Sequence, residues 1–349
     1  EVNIHEGAMV QLGGGYGCRI GACSGKSDKS VCSPTGVVNV AGTARVEGNY
    51  YSTYIQQNKA GYNAFYGLLV GGGYQLYYED IYNNRVHREL PTDSRMKGIV
   101  NIAPTGSFLL WQGMLAVGIG TGGDGEINID GGTFTKARDG NTAIGMGGGK
   151  GAVTITGGGR MDAYGTLFIG GVRTNDFESV VYYDDWYVDD GAPASLRDAE
   201  GTLRVVNGVY RQAGGAAKIV VGAEGTGMIE IGSNGVVQAE HVVMSNGVQS
   251  VLRFVAGANG FGYLDAQKSL SICDGQRVEV DLTEYAGSKT KHQLVKFSGT
   301  NENFRVDVLQ LDAVFTDESG KNQHKVAVLR KGADGLYLNL MQGTVLHFK

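Results

Sequence analysis

The sequence predicts an all-β chain wound into a three-sided parallel β-helix (a β-solenoid) of about nine turns, closed by an antiparallel C-terminal β cap. Three observations predict it. Glycine supplies 58 of the 349 residues and proline only 4, so the chain turns often without the three-residue period and proline content of collagen. Hydrophobic residues make up 42% of the chain and include regular Val and Ile positions, which excludes a disordered glycine-rich linker. Three short sub-motifs also follow one another in fixed order, with a step close to 26 residues.

The first sub-motif is a mostly apolar pair ending at glycine: Arg19-Ile20-Gly21, Leu69-Val70-Gly71, Ala116-Val117-Gly118, Ala143-Ile144-Gly145, Phe168-Ile169-Gly170 and Val220-Val221-Gly222. Val243-Met244-Ser245 is a degenerate copy. The second is an alternating strand: Val2/Ile4, Val38/Val40, Val100/Ile102, Ile127/Ile129, Val153/Ile155, Leu203/Val205, Ile229/Ile231, Leu252/Phe254 and Val278/Val280. The third follows a glycine corner, as in Gly42-Thr43-Ala44-Arg45-Val46, Gly132-Thr133-Phe134, Gly159-Arg160-Met161, Gly208-Val209-Tyr210 and Gly235-Val236-Val237.

Three short strands per turn describe a prism. Alternate residues point inward, and each turn pairs in parallel with the next at about 4.8 Å, so nine turns span roughly 40 Å. Glycine at the corners permits φ > 0 where the chain bends. One turn cannot bury its own apolar face, but stacking buries all of them. An immunoglobulin-like sandwich would show regular short strands too, but not the same glycine corners in the same order. The right-handed sense is expected, because left-handed solenoids usually carry tighter hexapeptide repeats.

The solenoid is expected over residues 1–280 and the cap over 281–349, where the period breaks. There Phe304/Val306/Val308, Val326/Val328 and Leu336/Leu338/Leu340 alternate around turns such as Lys331-Gly332-Ala333-Asp334-Gly335. A cap of this kind protects the strand edges of a last turn.

Long insertions interrupt the prism at 22–37, 48–67, 72–98 and 171–200. The 22–37, 72–98 and 171–200 insertions leave at one corner, between the apolar-pair strand and the next alternating strand; 48–67 leaves at another. One-sided insertions in repeat proteins commonly mark a binding face. Two short turns, Gly120-Thr121-Gly122-Gly123-Asp124 and Met146-Gly147-Gly148-Gly149-Lys150, lie between the two longest, which predicts a cleft with a flat floor and two walls.

The candidate ligand-binding residues stand in those walls: Tyr77, Tyr78 and His87 in one, and Tyr182, Tyr183, Asp184, Asp185, Trp186 and Tyr187 in the other. Aromatics beside carboxylates can stack on sugar rings and bind hydroxyls, or anchor a protein interface. The same tyrosines can equally fold the loops back on the prism. A catalytic reading needs two converging acids. Asp184 and Asp185 are neighbours on one strand and point to opposite sides, so a partner would have to come from Glu79 or Asp80. The strand-borne charges Glu126, Lys136, Arg204 and Glu230 read as scattered. No catalytic residue is assigned, and the chain is expected not to be an enzyme.

No cofactor is expected. The acidic run 183–190 offers oxygens for Ca²⁺ but lacks the spacing and glycine of an EF-hand. The glycine-rich Gly118-x-Gly120-x-x-Gly123 precedes no helix, so it is a corner and not a phosphate cradle. The six histidines form no metal-spaced set. Net charge −5 leaves no basic footprint for nucleic acid, and no apolar run is long enough for a spanning helix. The start at Glu1-Val2-Asn3-Ile4 reads as strand, as in a mature or excised segment. Of the four cysteines, Cys23 and Cys32 bracket the first insertion and can close it as a disulfide in an oxidising compartment. Cys18 and Cys273 lie near opposite ends, too far apart to bond within one solenoid. They are read as buried thiols, or as a bond between stacked subunits.

The runs Gly125-Glu-Ile-Asn-Ile-Asp-Gly-Gly-Thr-Phe134 and Ala143-Ile-Gly-Met-Gly-Gly-Gly-Lys-Gly-Ala-Val-Thr-Ile-Thr-Gly157 resemble autotransporter-type passenger repeats. They are also similar to the repeats of related bacterial surface proteins that carry a C-terminal sorting signal. Val278-Glu-Val-Asp-Leu-Thr-Glu-Tyr-Ala-Gly287, with 294–299 and Gly335-Leu-Tyr-Leu-Asn-Leu340, is similar to the end of such passengers. The resemblance covers about residues 98–345 and implies a secreted or surface-displayed solenoid of a Gram-negative-type bacterium. The chain departs from that pattern in carrying no translocating barrel and no sorting segment. The expected function is therefore an extracellular or cell-surface structural or adhesive solenoid. Its expected partners are copies of itself, through pairing-ready ends, or host and matrix glycans. The alternative is a polysaccharide-degrading β-helix, hydrolase or lyase, with its site between loops 72–98 and 171–200.

Overall fold

The computed structural model describes residues 1–12, 18–23, 33–47, 67–73, 76–79, 85–88, 94–138, 140–171, 198–214, 217–245, 247–273, 275–297, 312–316 and 326–341. Among them there is no helix, so none is long and apolar enough to cross a membrane. The chain winds as a parallel β-helix with three columns of strands.

The first column stacks ten strands: Val2–Ile4, Thr35–Val40, Met96–Ile102, Gly123–Asp130, Lys150–Thr156, Glu200–Val205, Thr226–Ile231, Gln249–Val255, Arg277–Asp281 and Asp312–Thr316. All nine alternating pairs read from the sequence fall in one register, running Val2↔Val38↔Val100↔Ile127↔Val153↔Leu203↔Ile229↔Leu252↔Val278. From Val38 onward these residues are buried in a continuous core. Each fully buried Val, Leu or Ile stabilises by about 1.5–3 kcal/mol relative to exposure, which is why period 2 on every rung fixes the register.

The second column contains Met9–Gln11, Thr43–Val46, Ser107–Leu110, Thr133–Lys136, Arg160–Tyr164 and Val209–Ala213. The third contains Cys18–Cys23, Gly67–Gly73, Met114–Ile119, Thr142–Met146, Leu167–Ile169 and Lys218–Val221. Higher up the two columns share single long strands, Val236–Met244 and Tyr263–Ile272, with a register irregularity between Ala239 and His241. The corner has shrunk there to a bulge, so the two columns join into one 17-stranded sheet.

The third column follows the same alternation. Neighbouring residues on a strand point to opposite sides, so only one member of each apolar pair can face the interior. Ile20, Val70, Val117, Ile144, Ile169 and Val221 do so. Their partners Leu69, Ala116, Ala143, Phe168 and Val220 face outward, yet each is buried. With Ile119, Met146 and Ala223 they form a second hydrophobic cluster. This wall of the prism is therefore buried on both sides.

The corner glycines divide by cause. At the exit of the third column, Gly118 has φ +69° and a β-carbon there would meet the next rung's backbone, as it would at Gly71 with φ +63°. A second stack, Gly98↔Gly125↔Gly151↔Gly201↔Gly227, runs alongside it in the first column. After the first column, Gly132 has no positive φ; it is needed because a β-carbon would lie 2.3 Å from the Ala103 carbonyl oxygen. At that corner the left-handed residues include Asn207 and Asn234, at φ 48° and 54°.

Buried polar side chains also serve the interior. Lys136 is 2% exposed, and its ammonium donates to the carbonyl oxygens of Gly140 at 2.6 Å and Tyr164 at 2.9 Å. Two rungs on, Tyr210 and Gln212 are hydrogen-bonded to each other, and the Gln212 amide donates to the Gly165 carbonyl. These side chains satisfy backbone groups that the irregular corner between the second and third columns leaves unpaired.

The C-terminal end changes direction. Lys291–Lys296 pairs in parallel with the preceding rung through Leu264↔Val295, and pairs antiparallel with Gly335–Met341, which itself pairs antiparallel with Val326–Gly332. Asp312–Thr316 lies parallel to Arg277–Asp281, so the first column continues one rung past Asp281.

Candidate functional site

The insertion corner is built on the two stacks of glycine. Between the long insertions the short turns stack as expected, with the Gly120 N–H donating to the Met146 carbonyl at 2.9 Å and the Met96 N–H to the Gly122 carbonyl at 2.9 Å. Within one insertion, Leu76–Glu79 and Arg85–Arg88 form an antiparallel ribbon that places Tyr77 opposite His87 and Tyr78 opposite Val86. Tyr182, Tyr183, Asp184, Asp185, Trp186 and Tyr187 lie outside the described residues, as does Cys32. Cys23 closes the strand Cys18–Cys23 in register with Gly73. Cys18 and Cys273 are free thiols, and burial pushes the Cys18 thiol above its ordinary pKa.

The outward row of the first column was not anticipated. Asn3, Asn39, Asn101 and Asn128 stand in register on four successive rungs. Asn39 Nδ2 donates to Asn3 Oδ1 at 2.8 Å, Asn101 Nδ2 to Asn39 Oδ1 at 2.8 Å, and Asn128 Nδ2 to Asn101 Oδ1 at 3.0 Å. Each amide has two N–H groups and two lone-pair sites. The ladder uses one of each on the inner rungs; Asn39 spends its second N–H on Glu1 Oε1 at 3.1 Å, and Asn101 keeps its second N–H and lone pair outside the ladder.

A trough of about 400 Å³ runs along this ladder, parallel to the solenoid axis. One wall is the four amides. Ala41 and Ala103 line the opposite side at the middle rungs, and His5 and Asp130 stand at its two ends. The floor includes the strand segments at Ile4, Val40 and Ile102, whose side chains point into the core. The trough ends where Thr156 Oγ1 donates to Asp130 Oδ1 at 3.1 Å.

Beyond Thr154 the same outward row becomes charged: Arg204, Glu230 and Arg253 follow in register. Arg204 Nε meets Glu230 Oε1 at 2.8 Å, and the Arg253 guanidinium meets Asp281 Oδ2 at 2.9 Å. Burial pushes the Asp281 carboxyl up. The Thr283 backbone N–H and hydroxyl, together with Arg253, outweigh it and hold the pKa below the usual carboxylate value. The strand-borne charges are thus ordered, not scattered. Glu126 likewise takes a 2.8 Å bond from Lys97, whose pKa is raised by that hydrogen bond and the nearby carboxylates. Glu230 lies one turn of 26 residues beyond Arg204, a spacing visible in the sequence; Asn101 lies 62 residues beyond Asn39, across the insertions, where no fixed spacing marks it.

On the second column Trp111 lies between two guanidinium groups, Arg45 at 5.7 Å and Arg138 at 4.7 Å from the ring centroid. Its ring is thus engaged within the molecule. Among the described residues no three metal-ligating side chains converge. Compared with protein-family models, with curated proteins and with solved structures, the chain matches none of them.

Proposed function

We propose that this chain is a non-catalytic, extracellular or cell-surface solenoid, a rigid structural and adhesive module that recognises a repetitive partner. The observation that carries this reading is the first column's outer row, which presents the same amide on four successive rungs along an open trough. A surface that repeats every rung suits an extended or repetitive partner, either a glycan chain or a lattice of its own copies. Reaction chemistry instead calls for unlike groups converging on one point.

Assembly through the ends belongs to the same reading. A partner that repeats at the rung spacing can be another copy of this chain, since strand stacks are templates for further pairing. Negative-stain microscopy of the purified chain, run beside a glycan array, tests the reading. Filaments or glycan signal support it. Dispersed particles with a silent array, together with hydrolysis of a polysaccharide panel, would replace it with the degradative alternative.

A further inference from the structure

We infer that the trough along Asn3, Asn39, Asn101 and Asn128 is a binding site for a linear, uncharged, hydroxyl-rich glycan lying along the solenoid axis. This rests on the reading of the chain as a recognition module and moves the ligand from the insertion loops to the first column.

The argument begins with what the rungs have left to offer. The backbone N–H and C=O groups of the floor strands are spent between rungs, so an extended peptide cannot add itself there as a strand. What remains is the unused half of the side-chain amides, a donor and an acceptor on Asn101 and an acceptor on Asn39, whose second N–H goes to Glu1. A sugar hydroxyl is a donor and an acceptor on one atom, so it can satisfy both. Hydrogen bonds of this neutral kind are individually modest, and a chain that repeats them on successive rungs adds them up.

Spacing supports the same ligand. Rungs lie about 4.8 Å apart, so the four amides span roughly 14 Å. That spacing is close to the length of one sugar unit in an extended β-linked chain; successive units of a β-1,4 chain are turned over, so an equivalent hydroxyl meets every second amide. Ala41 and Ala103 leave the middle of the trough open, and the partly exposed Val37 and Ile99 flank the ladder on its other side. Such aliphatic surface suits the C–H faces of sugar rings.

Charge argues for a neutral chain. The ladder amides are themselves uncharged, and the carboxylates beside them, Glu1 on Asn39 and Asp130 at one end, repel an acidic polymer. The Arg204, Glu230 and Arg253 row lies beyond the trough, with its charges matched internally.

The test is fluorescence anisotropy of labelled linear oligosaccharides of β-1,4-glucose, β-1,3-glucose and β-1,4-N-acetylglucosamine. A uronic-acid oligomer and an extended polar peptide serve as competitors. Ala103→Tyr and Ala41→Arg fill the trough without removing a ladder amide, and thermal melts confirm that each variant is folded. At least one neutral oligomer should bind, a disaccharide should bind far more weakly, and each folded variant should lose about tenfold or more in affinity. Glycan binding that both variants leave unchanged would overturn the trough while keeping the recognition reading. Preference for the uronate or the peptide would also overturn it. Silence of every oligomer overturns the site, and if no assembly is seen either, the recognition reading falls with it.

Discussion

Gly118 and Lys150 approach so closely that a β-carbon on Gly118 would lie 1.7 Å from the Lys150 carbonyl oxygen. The glycine also holds φ at +69°. Gly118→Ala should therefore destabilise by at least about 3 kcal/mol, because neither the backbone above nor the left-handed conformation can give way. Gly158 is the control: its φ is +84°, but nothing lies within 4 Å of an added β-carbon. Gly158→Ala should cost only about 1 kcal/mol. Denaturant melts of the two variants side by side separate the cost of contact, at the exit of the third column, from that of conformation alone, after the first.

Lys136 should resist removal despite its charge. Lys136→Met keeps the length of the side chain but strands the Gly140 and Tyr164 carbonyls, at about 1–3 kcal/mol for each unsatisfied group. A loss of roughly 2–4 kcal/mol is expected in chemical denaturation. A neutral or stabilising outcome would mean that water replaces the ammonium in the corner.

The amide ladder should respond as a unit. Asn101 both donates to Asn39 and accepts from Asn128, so Asn101→Ala breaks two bonds at once. A loss of about 1–2 kcal/mol is expected. The double variant with Asn39→Ala should cost less than the sum of the singles, because they share a bond; strict additivity in a double-mutant cycle would contradict the ladder.

Asp281 gives a pH signature. Its folded pKa is depressed, so the stability it adds is fully present above the unfolded value, about 3.9, and is lost as the pH falls through the folded value. Asp281→Asn should melt below the parent at neutral pH, and the two should converge in strong acid. Curves that stay apart in acid would assign the difference to packing instead.

How much was legible can be argued from particular residues. The interior column from Val38 to Val278 is written at one-turn intervals, because burying one side of every rung demands an apolar residue there. The cap strands Val326–Gly332 and Gly335–Met341 were legible for the same reason. The outward amides were equally periodic, but a polar residue on a solvent-facing position carries no burial requirement. Asn39 and Asn101, 62 residues apart, gave no sign of bonding until the turns were stacked. The apolar pairs mark the limit of that pattern: alternation turns Phe168 out beside the inward Ile169, and nothing in the sequence marks its burial in a separate cluster.

The sequence by itself determined that this chain coils, how many residues each turn takes and which side chains enter the core. Those follow from local alternation and from glycine at places no other residue fits. Only the tertiary structure decided which outward residues meet. Contacts between rungs join positions some 23 to 62 residues apart, as Val221 with Met244 and Asn101 with Asn39 show. The insertions between them make that distance irregular along the chain, and stacking makes it one strand spacing in space. The amide ladder, its trough and the charged row beyond exist at that second distance alone.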